Sequence, residues 1–204
     1  RVLLDDGRML LEMESETVGV VRRGGVLHSR KSLAIPGVAL RLPALTEADL
    51  KNLRDACSFG VTGVMQPFVR GREDLIALRN ALDTCGGEQI RIFAKIENQD
   101  GLEHLAELLP YADEIVIARG DLGNSMPLWA LPAAQKRISE TCREAGKPFL
   151  IVTQMLYTME HSAVPTRAEV SDIFNAVLDG ASSVMVTGET AVGEYPVEVI
   201  RYLK

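Results

Sequence analysis

The sequence predicts an α/β fold, part of a (β/α)8 barrel with a small all-β appendage at its N-terminus. Three observations predict it. From Thr46 onward, short apolar runs alternate with amphipathic segments in units of about 25–35 residues, the pattern of a parallel sheet covered by helices. Polar residues gather where the apolar runs end: Lys95 and Glu97, Arg119 and Asp121, Thr153 and Gln154, Thr187 and Glu189. A barrel builds its site at that face from several different strands. No Gly-x-Gly-x-x-Gly follows any apolar run, so a dinucleotide-binding sheet gains no support.

The appendage comes first, and the reading divides the chain into residues 1–45 and 46–204. Val2-Leu3-Leu4, Asp5-Asp6-Gly7-Arg8 and Met9 to Met13 read as a hairpin, because Asp-Gly readily supplies the positive φ of a tight turn. Val18 to Val21 and Gly24-Gly25 continue the module, and Pro36-Gly37 and Pro43 punctuate a connector. Thr46 with Asp49 predicts a capped helix carrying Leu50, Leu53 and Cys57, closed at Gly60.

The barrel strands and helices then alternate. Strands are expected at Val61 to Phe68, Ile90 to Ile96, Glu114 to Ala118, Phe149 to Thr153 and Ser183 to Thr187. Between them fall helices over about 72–84, around Leu102 to Leu109, and around Ala134, Ile138 and Cys142. The helix after the Thr166/Glu169 capping box carries Val170, Ile173, Phe174, Val177 and Leu178 as an expected core-facing stripe. A last helix opens near Val197. A closed barrel needs eight strands, so about three more are expected ahead of these in a longer protein.

Composition excludes some functions. A net charge of −6 over 204 residues argues against nucleic acid or an anionic membrane as the main partner. No apolar run approaches the roughly 20 residues of a membrane span, and no signal-peptide pattern opens the chain. Cys57, Cys85 and Cys142 show no metal or redox spacing and read as small, reduced core residues of a cytoplasmic protein. The three histidines have no mutual spacing for catalysis, the seven methionines read as core filler, and Trp129 is expected to pack.

The chemistry lies at the strand ends. If the strands ending at Ile96 and Ala118 are parallel neighbours, Glu97 and Asp121 converge with Lys95 between them. Two carboxylates suit Mg²⁺, which leaves other positions to substrate and water, and an ammonium beside them suits a transferring phosphoryl group or an enolate. The competing readings are solvated strand-end charges and a Lys95–Glu97 salt bridge. Gly120 lets backbone approach a ligand closely, and Thr153 either binds a substrate carboxylate or bonds to backbone. Thr187-Gly188-Glu189-Thr190 either contacts phosphate or makes a turn.

Five motifs in order then resemble one family. Lys95-Ile96-Glu97-Asn98, Ala118 to Gly123, Thr153-Gln154-Met155-Leu156, Pro165 to Asp172 and Gly188-Glu189-Thr190-Ala191 together are similar to pyruvate kinase. The resemblance covers essentially the whole chain. Residues 1 to about 40 look like the second half of the family's lid domain, ending in the connector Ile35 to Leu40, and the rest like the barrel from its third helix to the start of its eighth. It implies phosphoryl transfer from phosphoenolpyruvate to ADP, giving pyruvate and ATP, with Mg²⁺ (or Mn²⁺) and usually K⁺.

By that resemblance Glu97 and Asp121 hold the metal, and Lys95 stabilises the phosphoryl group and then the enolate. Arg119, Gly120, Asp121 and Thr153 bind phosphoenolpyruvate, with Thr153 near the proton's route. A homotetramer is implied as well. Gln66-Pro67, Thr62, Ala34 and Tyr157 depart from the family's usual residues. The rivals are another Mg²⁺-enolate lyase or aldolase, and a catalytically silent metabolite-binding paralogue.

Overall fold

The computed structural model describes residues 1–29, 31–38 and 42–204. Ala39 and Leu40 of the expected connector fall outside them. The first sheet has four strands, β1 (Val2–Leu4), β2 (Met9–Met13), β3 (Gly19–Arg23) and β4 (Leu33–Ala34), in the order β3-β2-β1-β4 with antiparallel pairing. Its first turn is tighter than Asp-Gly alone requires. Asp5, Asp6 and Gly7 all take positive φ, a region that aspartate tolerates better than most residues. Lys31 and Ser32 hold that turn in place, through an ion pair to Asp5 at 2.9 Å and a hydrogen bond from the Ser32 hydroxyl to Asp6 at 2.7 Å.

Five parallel strands form the second sheet, in the order β5-β6-β7-β8-β9. They are β5 (Gly63–Gln66), β6 (Arg91–Ile96), β7 (Glu114–Ala118), β8 (Phe149–Val152) and β9 (Ser183–Met185). Strand order equals chain order, so every crossover carries the chain one strand along in the same direction. That is the arrangement of a barrel, here a partial one with β5 and β9 as its edges.

The helices are α1 (Glu47–Ser58), α2 (Arg72–Thr84), α3 (Gln99–Glu103), α4 (Leu105–Leu108), α5 (Arg119–Ser125), α6 (Leu131–Glu144), α7 (Arg167–Leu178), α8 (Gly188–Ala191) and α9 (Pro196–Tyr202). Both expected capping boxes form, Thr46 with Asp49 and Thr166 with Glu169. None of the helices is long and apolar enough to cross a membrane, among the described residues.

Strand alternation separates two apolar layers. Ile92, Ala94 and Ile96 of β6, with Ile115 and Ile117 of β7, face the helices in the main core beside Leu75, Leu82, Leu108 and Ile138. The opposite face carries Phe93, Val116, Ala118, Leu150, Val152 and Met185 as a separate inner layer. Lys95 and Glu97 continue the Phe93 side of β6, which sets them above that inner layer at the C-terminal end of the sheet.

Several sequence expectations need correction. Arg119 to Ser125 forms a helix where none was expected from the sequence. Helix α7 buries only Ala176 fully and packs Ile173 against the core, while Val170, Phe174, Val177 and Leu178 are about half or more exposed, so most of the apolar stripe faces outward. Trp129 is 84% exposed, and Met13 and Met65 also face solvent. Cys142 is buried as expected, but Cys57 and Cys85 are half-buried neighbours.

Candidate active site

Each residue of Lys95-Ile96-Glu97-Asn98 has a distinct place. Ile96 is buried in the core. Asn98 caps α3, accepting from Gly101 N–H at 2.7 Å, and donates to the Val69 carbonyl at 3.2 Å. Between them Glu97 is almost fully buried. Its Oε1 lies 2.7 Å from Lys95 Nζ, and its Oε2 accepts from Phe68 N–H at 2.7 Å. Phe68 takes a positive φ, which curls the exit of β5 around this carboxylate. The Lys95–Glu97 ion pair weighed from the sequence therefore forms. It fixes the carboxylate and holds the ammonium at the end of β6.

Asp121 enters from the neighbouring strand, in the first turn of α5. Burial pushes its carboxyl above the ordinary aspartate value, the negative charges of Glu97 and then Asp6 push it further, and Lys95 pulls it back. Glu97, Asp121, Lys95 and Asp6 therefore share one electrostatic neighbourhood. Asp6 was not anticipated as part of it. Asp-Asp-Gly carries an ordinary turn signal, and only the fold brings the appendage's turn over the sheet end.

The exit of β8 is strained. Thr153 and Gln154 have φ values of +81° and +57°, and a β-branched residue there is a genuine outlier. Two features hold it. A Cβ on Gly120 would lie 2.9 Å from Thr153 Cγ2, so only glycine lets α5 sit this close to the threonine. Arg119 then grips the loop, with Nε and Nη2 donating to the Thr153 carbonyl at 3.2 and 2.9 Å and Nη2 also reaching the Gln154 carbonyl at 3.3 Å. Nη1 meets both oxygens of Asp172 at 2.9 and 2.7 Å.

Every guanidinium nitrogen is thus engaged by protein. Through these contacts Arg119 holds the exit of β8 in place.

The later motifs supply the other side of this grip. On α7, Asp172 reaches Arg119 while Glu169, three residues earlier, accepts from Thr158 N–H at 2.7 Å and from its hydroxyl at 2.6 Å. Glu189 is buried and joins two strand exits, accepting from Leu156 N–H at 3.2 Å and from Thr187 N–H at 2.7 Å. Gly188 to Ala191 form α8, with Glu189 turned inward. The family model described as pyruvate kinase, barrel domain, matches residues 1–200.

The chain belongs to the pyruvate kinase family. It is 40% identical over 203 residues to a pyruvate kinase of Clostridium acetobutylicum, covering 98% of this chain and 43% of that protein. It is 40% identical over 207 residues to one of Geobacillus stearothermophilus (98% and 35%). Against Pyruvate kinase PKLR of Homo sapiens it is 43% identical over 205 residues (98% and 36%). The chain spans between about a third and under a half of the length of these relatives.

One departure from the pyruvate kinase pattern finds its partner here. Tyr157, standing where the family usually has glutamate, accepts at its hydroxyl from Arg8 Nη2 at 2.6 Å. The appendage turn thereby docks on the exit of β8. Its Gly7 lies against Asn124 of α5, whose side-chain oxygen would be 2.8 Å from a Cβ at that position. Gln66 of the Gln66-Pro67 departure is buried, with its side-chain oxygen unpaired among the described residues.

The donor set also fits a hard divalent ion. Among the described residues no group of three or more His, Cys, Asp or Glu gathers as a metal cage. Two carboxylates brought to adjacent strand ends are what Mg²⁺ uses when substrate and water complete its shell.

Proposed function

We propose that the protein containing this chain transfers a phosphoryl group from phosphoenolpyruvate to ADP, giving pyruvate and ATP. The observation that carries the reading is the Glu97–Lys95–Asp121 neighbourhood at two adjacent strand ends, in a chain of the pyruvate kinase family. Glu97 and Asp121 would hold Mg²⁺ (or Mn²⁺), which supplies a Lewis acid for phosphoryl and carboxylate oxygens. K⁺ would act beside it.

In this reading Lys95 meets the transferring phosphoryl group and then the enolate oxygen as charge develops there. Gly120 and Asp121 border the phosphoenolpyruvate carboxylate, with the N–H groups at the start of α5 on the same side. Thr153, held in its strained conformation by Arg119, would sit near the enolate and the proton's route. Residues 1–45 serve as part of a lid with its connector, and residues 46–204 as part of the catalytic barrel. The docking of the Asp5 to Arg8 turn on α5 supports the lid reading.

A homo-oligomer, a homotetramer by family likeness, would offer cover to exposed apolar residues of α7 and α9. A cytoplasmic location accords with a glycolytic role. An assay coupling phosphoenolpyruvate and ADP to pyruvate reduction tests the proposal. Turnover that needs both substrates and Mg²⁺, and falls on the order of 10²–10³-fold in Lys95→Ala, is expected. Metal and phosphoenolpyruvate binding without any turnover would assign the protein to the silent paralogues instead.

A further inference from the structure

Helices α1 and α2 run antiparallel to the strands they cover, so both end at the N-terminal face of the sheet, away from Glu97 and Asp121. There the Sγ atoms of Cys57, in the last turn of α1, and Cys85, which closes α2, lie 2.8 Å apart. Both thiols turn toward the Leu53 carbonyl. Cys57 lies 3.5 Å and Cys85 3.4 Å from the Leu53 oxygen, and Cys85 is 3.1 Å from that of Leu82. The backbone makes room for the pair, since Gly87 brings the chain to within 3.0 Å of Cys57 Sγ, measured from the Cβ that any other residue would carry. Neither side chain is fully buried, so a small reagent can reach them.

The geometry points to Cys57 and Cys85 as a dithiol modification site, which a low-molecular-weight disulfide converts to an intramolecular disulfide stapling α1 to α2. Sulfur atoms already in contact need to close by less than about an ångström to reach bonding distance of about 2.05 Å. The exchange balances without any other reactant. One cysteine thiolate attacks a sulfur of oxidised glutathione, forming a mixed disulfide and releasing one glutathione thiolate. The second cysteine then attacks the protein sulfur of that mixed disulfide and releases the other. Two electrons pass to glutathione, and the two cysteine protons end on its two thiols.

At rest Cys57 stays protonated, because its contact with the Cys85 thiol, followed by partial burial, raises it above the ordinary thiol value. Cys142, on the core-facing side of α6, is fully buried, its thiol pushed up to about 12 by burial, and takes no part.

The test treats the protein with oxidised glutathione, blocks remaining thiols with N-ethylmaleimide, and maps tryptic peptides. The expected product lacks two hydrogens and joins the peptide spanning residues 55–70 to that spanning 80–91, with Cys142 still a free thiol. Its thermal midpoint rises by several degrees and returns on reduction, because the bond constrains the unfolded chain. Cys57→Ser and Cys85→Ser should show neither change, and Cys142→Ser both. The mapping on the unmodified sequence decides the matter even if a variant fails to fold. Stable glutathione adducts on either cysteine, disulfide-linked dimers, or full alkylation of both thiols would overturn the proposal.

Discussion

Removing the Arg119 guanidinium should loosen the whole β8 exit. In Arg119→Met the stem stays and the charge goes, leaving Asp172 and the Thr153 and Gln154 carbonyls without their donor. Hydrogen bonds to a charged group contribute about 1.5–3 kcal/mol each, and breaking a buried ion pair costs about 3–5 kcal/mol. Asp172 is 33% exposed and can rehydrate, which lowers the second figure. Part of the grip also offsets the positive φ of Thr153 and Gln154, strain of order 1–3 kcal/mol per residue.

A net loss of roughly 2–4 kcal/mol follows, which in a domain of this size lowers the thermal midpoint by roughly 2–4 °C per kcal/mol. Urea unfolding of Arg119→Met, Asp172→Asn and the double variant measures it. The singles should be non-additive, with a coupling of about 1–3 kcal/mol. Arg119→Lys should recover only part, since an ammonium cannot span the same fork of acceptors. Single variants within about 0.5 kcal/mol of the parent would refute the clamp.

The remaining predictions concern neighbouring groups. Asp121→Asn should raise stability at neutral pH without metal, because the folded state holds Asp121's carboxyl above its ordinary value. That difference is full above the folded pKa, shrinks as pH falls through it and vanishes below the unfolded value; melting curves at pH 7 and in acid would show a constant gap if the reasoning were wrong. Gly120→Ala should cost roughly 1–2 kcal/mol, overpacking against Thr153 Cγ2 outweighing the gain in helix propensity; a stabilised variant in chemical denaturation would show that Thr153 moves freely. Glu189→Ala strands the buried Leu156 N–H and frees the more exposed Thr187 N–H, and should cost about 1–3 kcal/mol by the same measurement.

The strand-helix alternation was legible because each strand is a short apolar run and each long helix carries a cap or a glycine stop. Both capping boxes could be placed to the residue, since Thr46 and Thr166 bond groups only three positions away. Periodicity was less informative about what covers a face. Helix α7 has a regular apolar stripe, yet Val170, Phe174, Val177 and Leu178 are exposed. A 3.6-residue period marks a face as apolar and says nothing about whether this chain or another buries it.

Long-range geometry left no local trace. Arg119 and Asp172 are 53 residues apart, and Cys57 and Cys85 are 28 apart. Asp6 lies in the turn between β1 and β2 and Asp121 in α5, more than a hundred residues on. Helix α5 was hidden because Gly120 and Gly123 depress helix propensity, while Thr153 demands a glycine at 120 for contact.

Glu97 and Asp121 are proposed to share one divalent ion. Titration of Mn²⁺ followed by electron paramagnetic resonance tests it directly, since bound Mn²⁺ loses the free-ion signal. The account predicts one site in the unmodified protein, weakened at least about tenfold in both Glu97→Gln and Asp121→Asn, a loss of about 1.4 kcal/mol or more in each. Unchanged Mn²⁺ affinity in either variant would contradict it.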